Sequence, residues 1–182
     1  MGTQKITKES ILEASLVLLK RDGENSLSAR NIAKELKCST QPIYCNFRDM
    51  KEIRKELITP TFLIYNNYVS KFLDRYKDYK AYGMAYIKFA SEEKELFRYI
   101  YLKDTGVYDR RDDPVFMQAV NKIAETKSVD IETAFKFHLD MSIYTYGLAV
   151  MQNLGSGFSD DELSEKLTCV YNALSKIHLE GK

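Results

Sequence analysis

A chain with few places to turn sharply must build its fold from long elements. Only 3 prolines and 8 glycines occur in 182 residues, which argues against an all-β fold and for helices. Hydrophobic residues at 45% and charged residues at 29% are ordinary for a globular protein, and the length allows one mid-sized core or a small module fused to a larger one. No run of 18 apolar residues is present, so a spanning helix is not expected. The start, Met1-Gly-Thr-Gln-Lys-Ile-Thr-Lys8, lacks the apolar stretch of a secretory signal. Cys38, Cys45 and Cys169 are an odd number without metal-ligand spacing. A reduced cytoplasmic location with no metal and no cofactor is the simplest expectation.

The net charge of +1 suggests no partner, but its distribution does. Residues 1–58 hold 11 basic and 8 acidic side chains, and residues 59–182 hold 16 and 18. Between 30 and 55 the balance is 7 basic to 3 acidic. Of 13 Tyr and 9 Phe, only Tyr44 and Phe47 precede residue 59. The chain therefore has a small basic part and a larger ring-rich part.

Capping residues divide it into helices. Thr7 opens a first helix with apolar positions Ile11, Ala14, Leu18 and Leu12, Leu16, Leu19, and Gly23 ends it. Ser28 caps a short helix to Leu36. Ser39 is expected to cap another over Thr40–Phe47, with Pro42 harmless in its first turn. Asp49 caps a helix from Met50, with Glu52 completing a capping box, and Pro60 should kink or interrupt it before a pattern resumes over 61–77. Further helices are expected near 81–91, 94–102, 114–126 and, behind Asp130, to Leu154. The polar stretch 103–113 reads as a loop. Ser159 and Glu162 form a capping box for a last helix over 159–179.

Two short helices around a three-residue break form a helix-turn-helix pattern. Ile32, Ala33, Leu36, Cys38 and Ile43 would pack them together, leaving Thr40, Gln41, Tyr44 and Cys45 outward. Glutamine reads adenine edges, threonine reads polar edges or the thymine methyl, and nearby cations neutralise phosphates.

The stretch from Thr7 to about Ile58 resembles the DNA-binding domain of TetR-family transcriptional regulators. The resemblance is carried by Ile11-Leu-Glu-Ala14, Gly23, Leu27-Ser-Ala-Arg-Asn-Ile-Ala33, Ser39, Ile43-Tyr44, Phe47 and Asp49-Met-Lys-Glu52. It implies an all-α fold, with an N-terminal three-helix DNA-binding unit over 1–50 and a larger helical effector-binding and dimerisation domain over 51–182. The helix from about 50 would link the two. By the same resemblance Ser28 holds a phosphate, Arg30 contacts a base or phosphate, and Ser39 starts the reading helix. Thr40, Gln41 and Pro42 face base edges, while Tyr44, Asn46 and Lys51 touch phosphates. Two positions depart from the family pattern. Lys37 stands where glycine is usual and must take a left-handed backbone or another turn, and Asn46 stands where histidine is common.

The remainder carries no catalytic motif. His138 and His178 are the only histidines, and no nucleophile elbow, zincin motif or phosphate loop occurs. The resemblance implies a small-molecule effector enclosed by this region. Phe62, Tyr65, Phe89, Phe97, Tyr101, Phe137, Met141 and Tyr144 would give it an apolar, aromatic lining, although the same rings could simply fill a helical core. The helix over 131–154 is apolar on more than one side, and the last helix carries Leu163, Leu167, Val170, Leu174 and Ile177. Such faces need burial on more than one side, which a two-fold partner supplies. The expected protein is a homodimeric, cytoplasmic DNA-binding repressor on a pseudo-palindromic double-stranded operator, released by a small apolar or aromatic effector, with no membrane partner. Two alternatives stay open: a helical ligand-binding protein or small enzyme with an incidental helix-turn-helix start, and a thiol sensor using Cys38 or Cys45.

Overall fold

The computed structural model describes residues 6–102 and 110–180. Its described residues form helices and no strand. In chain order these are α1 (Lys8–Asp22), α2 (Ala29–Glu35), α3 (Gln41–Asn46), α4 (Met50–Glu56), α5 (Ile58–Tyr76), α6 (Lys80–Glu92), α7 (Lys94–Tyr101), α8 (Pro114–Lys127), α9 (Ile131–Asn153) and α10 (Asp160–His178). One-turn 3₁₀ segments occupy Glu24–Ser26 and Arg110–Asp112. Most of the polar loop expected over 103–113 lies outside the described residues.

Most boundaries follow from side-chain caps. Thr7, Ser28, Asp49, Asp113, Asp130 and Ser159 each accept a main-chain N–H in the first turn of the helix they precede. Pro60 interrupts the chain where its chemistry requires. It cannot donate to the carbonyl of Glu56, and α4 stops at Glu56. The helix restarts at Ile58, earlier than the Thr61 expected, because Pro60 then lies in a first turn whose N–H groups need no partner.

The chain divides into two compact units. One runs to Ile64 and takes in α7, and the other combines Tyr65–Glu92 with the chain from α8 onward. This differs from the expected division at residue 50. In the first unit, Ile11, Leu18, Leu19, Ile32, Ile43, Phe47, Ile53 and Leu57 are buried, and α7 adds Leu96, Phe97 and Tyr99. Gly23, with φ of 76°, lets α7 come close: a β-carbon there would lie 2.5 Å from Glu95 Oε2. Tyr99 Oη donates to the Arg54 carbonyl, and Lys20 pairs with Glu93. Arg54 is turned inward, donating to the Leu27 carbonyl at 2.9 Å with Glu24 3.4 Å away.

The second unit packs α6, α8 and α10 around α9. Gly83 of α6 admits Leu167, whose Cδ1 would stand 3.0 Å from a β-carbon at that position. Asn153 is buried and donates to the carbonyl of Ala90 at 2.9 Å, satisfying one of the last carbonyls of α6. Tyr79, Phe137 and Tyr171 form a triangle with ring centroids 5.3–5.8 Å apart. His138 joins it through a hydrogen bond between its Nδ1 and Tyr79 Oη, and His178 Nε2 meets Asp140 Oδ2 at 2.7 Å.

Burial, helped by the charge of Arg110, pushes the His138 imidazole down to about 3, so it is neutral in the fold. The unfolded chain, whose histidine titrates near 6.5, binds more protons between those values. Stability from this group is complete above pH 6.5 and falls as pH drops below it. We expect unfolding in urea to lose about 2 kcal/mol between pH 7 and 5 through His138. A His138→Gln variant should show a correspondingly flatter curve over that range.

Candidate nucleic-acid interface

Helix α3 is short because its ends are fixed chemically. Thr40 occupies the cap position, with its carbonyl accepting from Ile43 N at 3.2 Å and Tyr44 N at 3.4 Å. The expectation that Ser39 caps this helix is corrected. Its hydroxyl makes no such bond, because the helical backbone begins one residue later and Thr40 itself carries no side-chain cap. Extended backbone at Phe47 ends the helix.

One side of α3 is buried through Ile43, and Phe47 beyond its end is buried also, at 1% and 2% exposure. Helical spacing then turns Gln41, Tyr44 and Cys45 together to the other side, where all three are exposed. Tyr44 is 58% exposed, unusual for a ring that could have joined the core beside Phe47. Pro42 is half-buried, as is Asn46, whose Nδ2 donates to the Pro42 carbonyl at 2.8 Å. Asn46 thus spends one amide proton inside α3 and keeps the other.

The remaining expected contact residues sit at helix starts. Ser28 accepts from Asn31 N at 3.2 Å, which leaves its own hydroxyl proton for an outside acceptor. Arg30 is exposed in the first turn of α2, Ser39 is exposed in the turn, and Lys51 is exposed in the first turn of α4. Arg30, Lys34, Lys37, Lys51 and Lys55 are all exposed and have no acidic partner within 4 Å among the described residues. The basic excess of this region therefore faces solvent.

Lys37 resolves the choice left by the sequence. Its φ is 53°, so the turn between α2 and α3 uses the left-handed backbone. Lys37 N donates to the Lys34 carbonyl at 3.2 Å, and Cys38 N to the Ala33 carbonyl at 2.9 Å.

The expected effector lining is not gathered in one place. Phe62, Phe97 and Tyr101 belong to the first unit, where Tyr101 lies 6.1 Å from Phe62 and 5.4 Å from Phe97 between ring centroids. In the second unit Tyr65 meets Phe89 at 5.4 Å, while Phe137 joins Tyr79 and Tyr171. Met141 is buried. Tyr144 is 38% exposed on α9, next to the more exposed Ile143. The second unit does carry a groove of about 530 Å³, with Leu73, Lys77, Tyr82, Met117, Asn121 and Lys122 among its lining and none of the eight expected residues.

The residues expected at the dimer interface differ in burial within one copy. Leu163 and Leu167 are each 3% exposed and fill the core of their own unit, Leu167 against Gly83. Val170 and Leu174 are half-buried, and Ile177 is 68% exposed. The exposed large apolar side chains of α9 are Ile131, Ile143, Tyr144 and Met151, continued by Leu154 at its C-terminal cap. Sequence periodicity missed this stripe because α9 is apolar on several sides. It also missed the Tyr79–His138 pair, since Tyr79 lies between two helices where no periodicity reaches.

Compared with models of protein families and with curated proteins, the chain matches none. No described helix is long and apolar enough to cross a membrane, and no group of three or more described His, Cys, Asp or Glu side chains could hold a metal ion.

The loop joining α3 to α4 is set by Asp49. Its Oδ1 accepts from Glu52 N at 2.9 Å, and this main-chain hydrogen bond holds the carboxyl below its usual range. A depressed carboxyl stabilises the fold above its ordinary titration range and loses that effect as pH falls through the lowered value. Asp49→Ala should lower the thermal midpoint at neutral pH, and the gap from the parent should close in acid. Asp49→Asn, an equally good cap, should stay near the parent at neutral pH.

Proposed function

We propose that the chain is a homodimeric, DNA-binding transcriptional regulator of the TetR type, a repressor released by a small apolar or aromatic molecule bound in its second unit. The observation that carries this reading is the surface of α3. Its apolar residue Ile43 is buried, while Gln41, Tyr44 and Cys45 face solvent near Arg30, Lys34, Lys37, Lys51 and Lys55, exposed cations without an acidic partner among the described residues. A short helix of this kind fits a major groove, where glutamine reads base edges and the surrounding cations meet phosphates.

A two-fold partner suits the second unit, because Ile143, Met151 and Leu154 recur on one side of α9 and its cap and are exposed among the described residues. An isologous contact would bury them and give one assembly two reading helices. The effector would act through its different affinity for the DNA-competent and DNA-incompetent states.

Cys45 and Cys169 are exposed on α3 and α10, which gives a footprint with an internal reference. Saturating duplex DNA at low salt should slow alkylation of Cys45 by about tenfold or more, as burial in a groove excludes the reagent, and leave Cys169 unchanged. Equal rates with and without DNA would overturn the DNA-binding reading. For the partner, Met151→Glu should sediment as a folded monomer. Leu167→Glu should unfold the second unit instead, since it buries an unpaired charge in a core. A Met151→Glu protein that stays dimeric would move the interface away from α9.

A further inference from the structure

Two cations bracket α3, and neither is explained by the folding of its unit. Lys37 stands before α3 with φ of 53°, a conformation in which a β-carbon is crowded. Glycine or asparagine would hold the same turn with less strain. The hydrogen bonds of the turn are made by main chain alone. The Lys37 side chain is exposed and makes no hydrogen bond or ion pair among the described residues. Strain borne by a side chain with no internal partner points to a use outside the fold.

Arg48 stands beyond the other end. Its main-chain N–H donates to Glu52 Oε2 at 2.7 Å, so its backbone is fixed. Its side chain is 86% exposed and, among the described residues, its one ion pair is with the neighbouring Asp49, at 3.6 Å, a surface contact of little worth. Arg54 gives the contrast, because its guanidinium is committed inward to the Leu27 carbonyl and Glu24.

We infer that Lys37 and Arg48 each bind a DNA backbone phosphate, one beyond each end of α3, and so clamp that helix at a fixed depth in the groove. This rests on the DNA-binding reading. Six helical residues span about 9 Å, and the major groove is about 12 Å wide. A helix seated in a groove of that width has a phosphate strand on either side, so long cationic side chains adjoining its two ends can reach phosphates. Phosphate contacts position a protein without reading bases, so the clamp acts alike on all sequences. Lys37 also has the reach of a flexible four-carbon stem, while Arg48 can engage a phosphate with two N–H groups at once.

The test uses the full-length protein and a random-sequence duplex, with affinity measured between about 50 and 200 mM salt. The variants are Lys37→Asn, which keeps a left-handed turn without charge, Lys37→Arg, which keeps the charge, and Arg48→Gln. Lys37→Asn and Arg48→Gln should each flatten the slope of log affinity against log salt by about 0.9 per bound chain. The affinity change across that salt range then shrinks about threefold per chain. Lys37→Arg should keep the parental slope, and circular dichroism should show all three folded. If the parent itself shows no salt-dependent binding to duplex DNA, the DNA-binding reading fails and the clamp falls with it. If the parent binds steeply and both neutral variants keep its slope, the clamp is wrong and the reading survives. Loss of slope in Lys37→Arg as well would also overturn it, because charge would then not be the cause.

Discussion

A helical unit of some seventy-five residues has little interior, and everything it displays depends on how that interior is closed. Units of this size bury only about 60% of the surface their unfolded chain exposes. Here α1 supplies the central apolar stripe, and α2, α3 and α4 each bring one or two large side chains to it. The closing contribution comes from α7, which follows α4 by almost forty residues and still adds Leu96, Phe97 and Tyr99. Gly23 makes this possible by ending α1 with no side chain in the way of Glu95. With the interior closed, α3 can leave Tyr44 in solvent, because Ile43 and Phe47 are enough to hold it.

Much of this was legible in the residues, and the legible part is local. A cap acts within one turn, so Thr7, Ser28, Asp49, Asp130 and Ser159 could be placed from sequence, and each accepts a first-turn N–H, although Glu52 accepts from Arg48 N and does not close the box expected at Asp49. Ser39 shows the limit: both Ser39 and Thr40 are capping residues, and only the backbone geometry decides between them. The faces of α3 were legible for the same reason. Six residues with one buried aliphatic leave little choice about which side is outward. The joining of α7 to the first unit was not legible, since no local rule links residues so far apart.

The second unit resists sequence reading for a different reason. Periodicity tells which residues want burial, but not which neighbour buries them. Leu163 and Leu167 look like interface leucines on α10, yet Gly83 removes a β-carbon from α6 and draws Leu167 into the unit's own core. No pattern within α10 could have revealed a glycine on another helix. The seven rings and one methionine expected as one lining were likewise chosen by type, and residue type does not fix a three-dimensional neighbourhood.

Helix α9 carries this ambiguity furthest, and its pattern is partly inverted. Its buried side includes His138, Thr145 and Asn153, and its exposed side includes Ile143, Tyr144, Met151 and Leu154. A buried polar group costs free energy unless it is bonded. Here each one is, to Tyr79, to the Met141 carbonyl and to the Ala90 carbonyl. The bonds of His138 and Asn153 reach outside the helix and fix the rotation of α9, because turning it to hide Ile143 and Leu154 would strip both of their partners, while Thr145 is satisfied within α9 itself. The apolar stripe is thereby held outward by the satisfied polar groups behind it. Burying a side chain of this size is worth about 1.5–3 kcal/mol. A second copy could gain that several times over without disturbing α9, which is why the proposed partner belongs on this stripe and not on the leucines of α10.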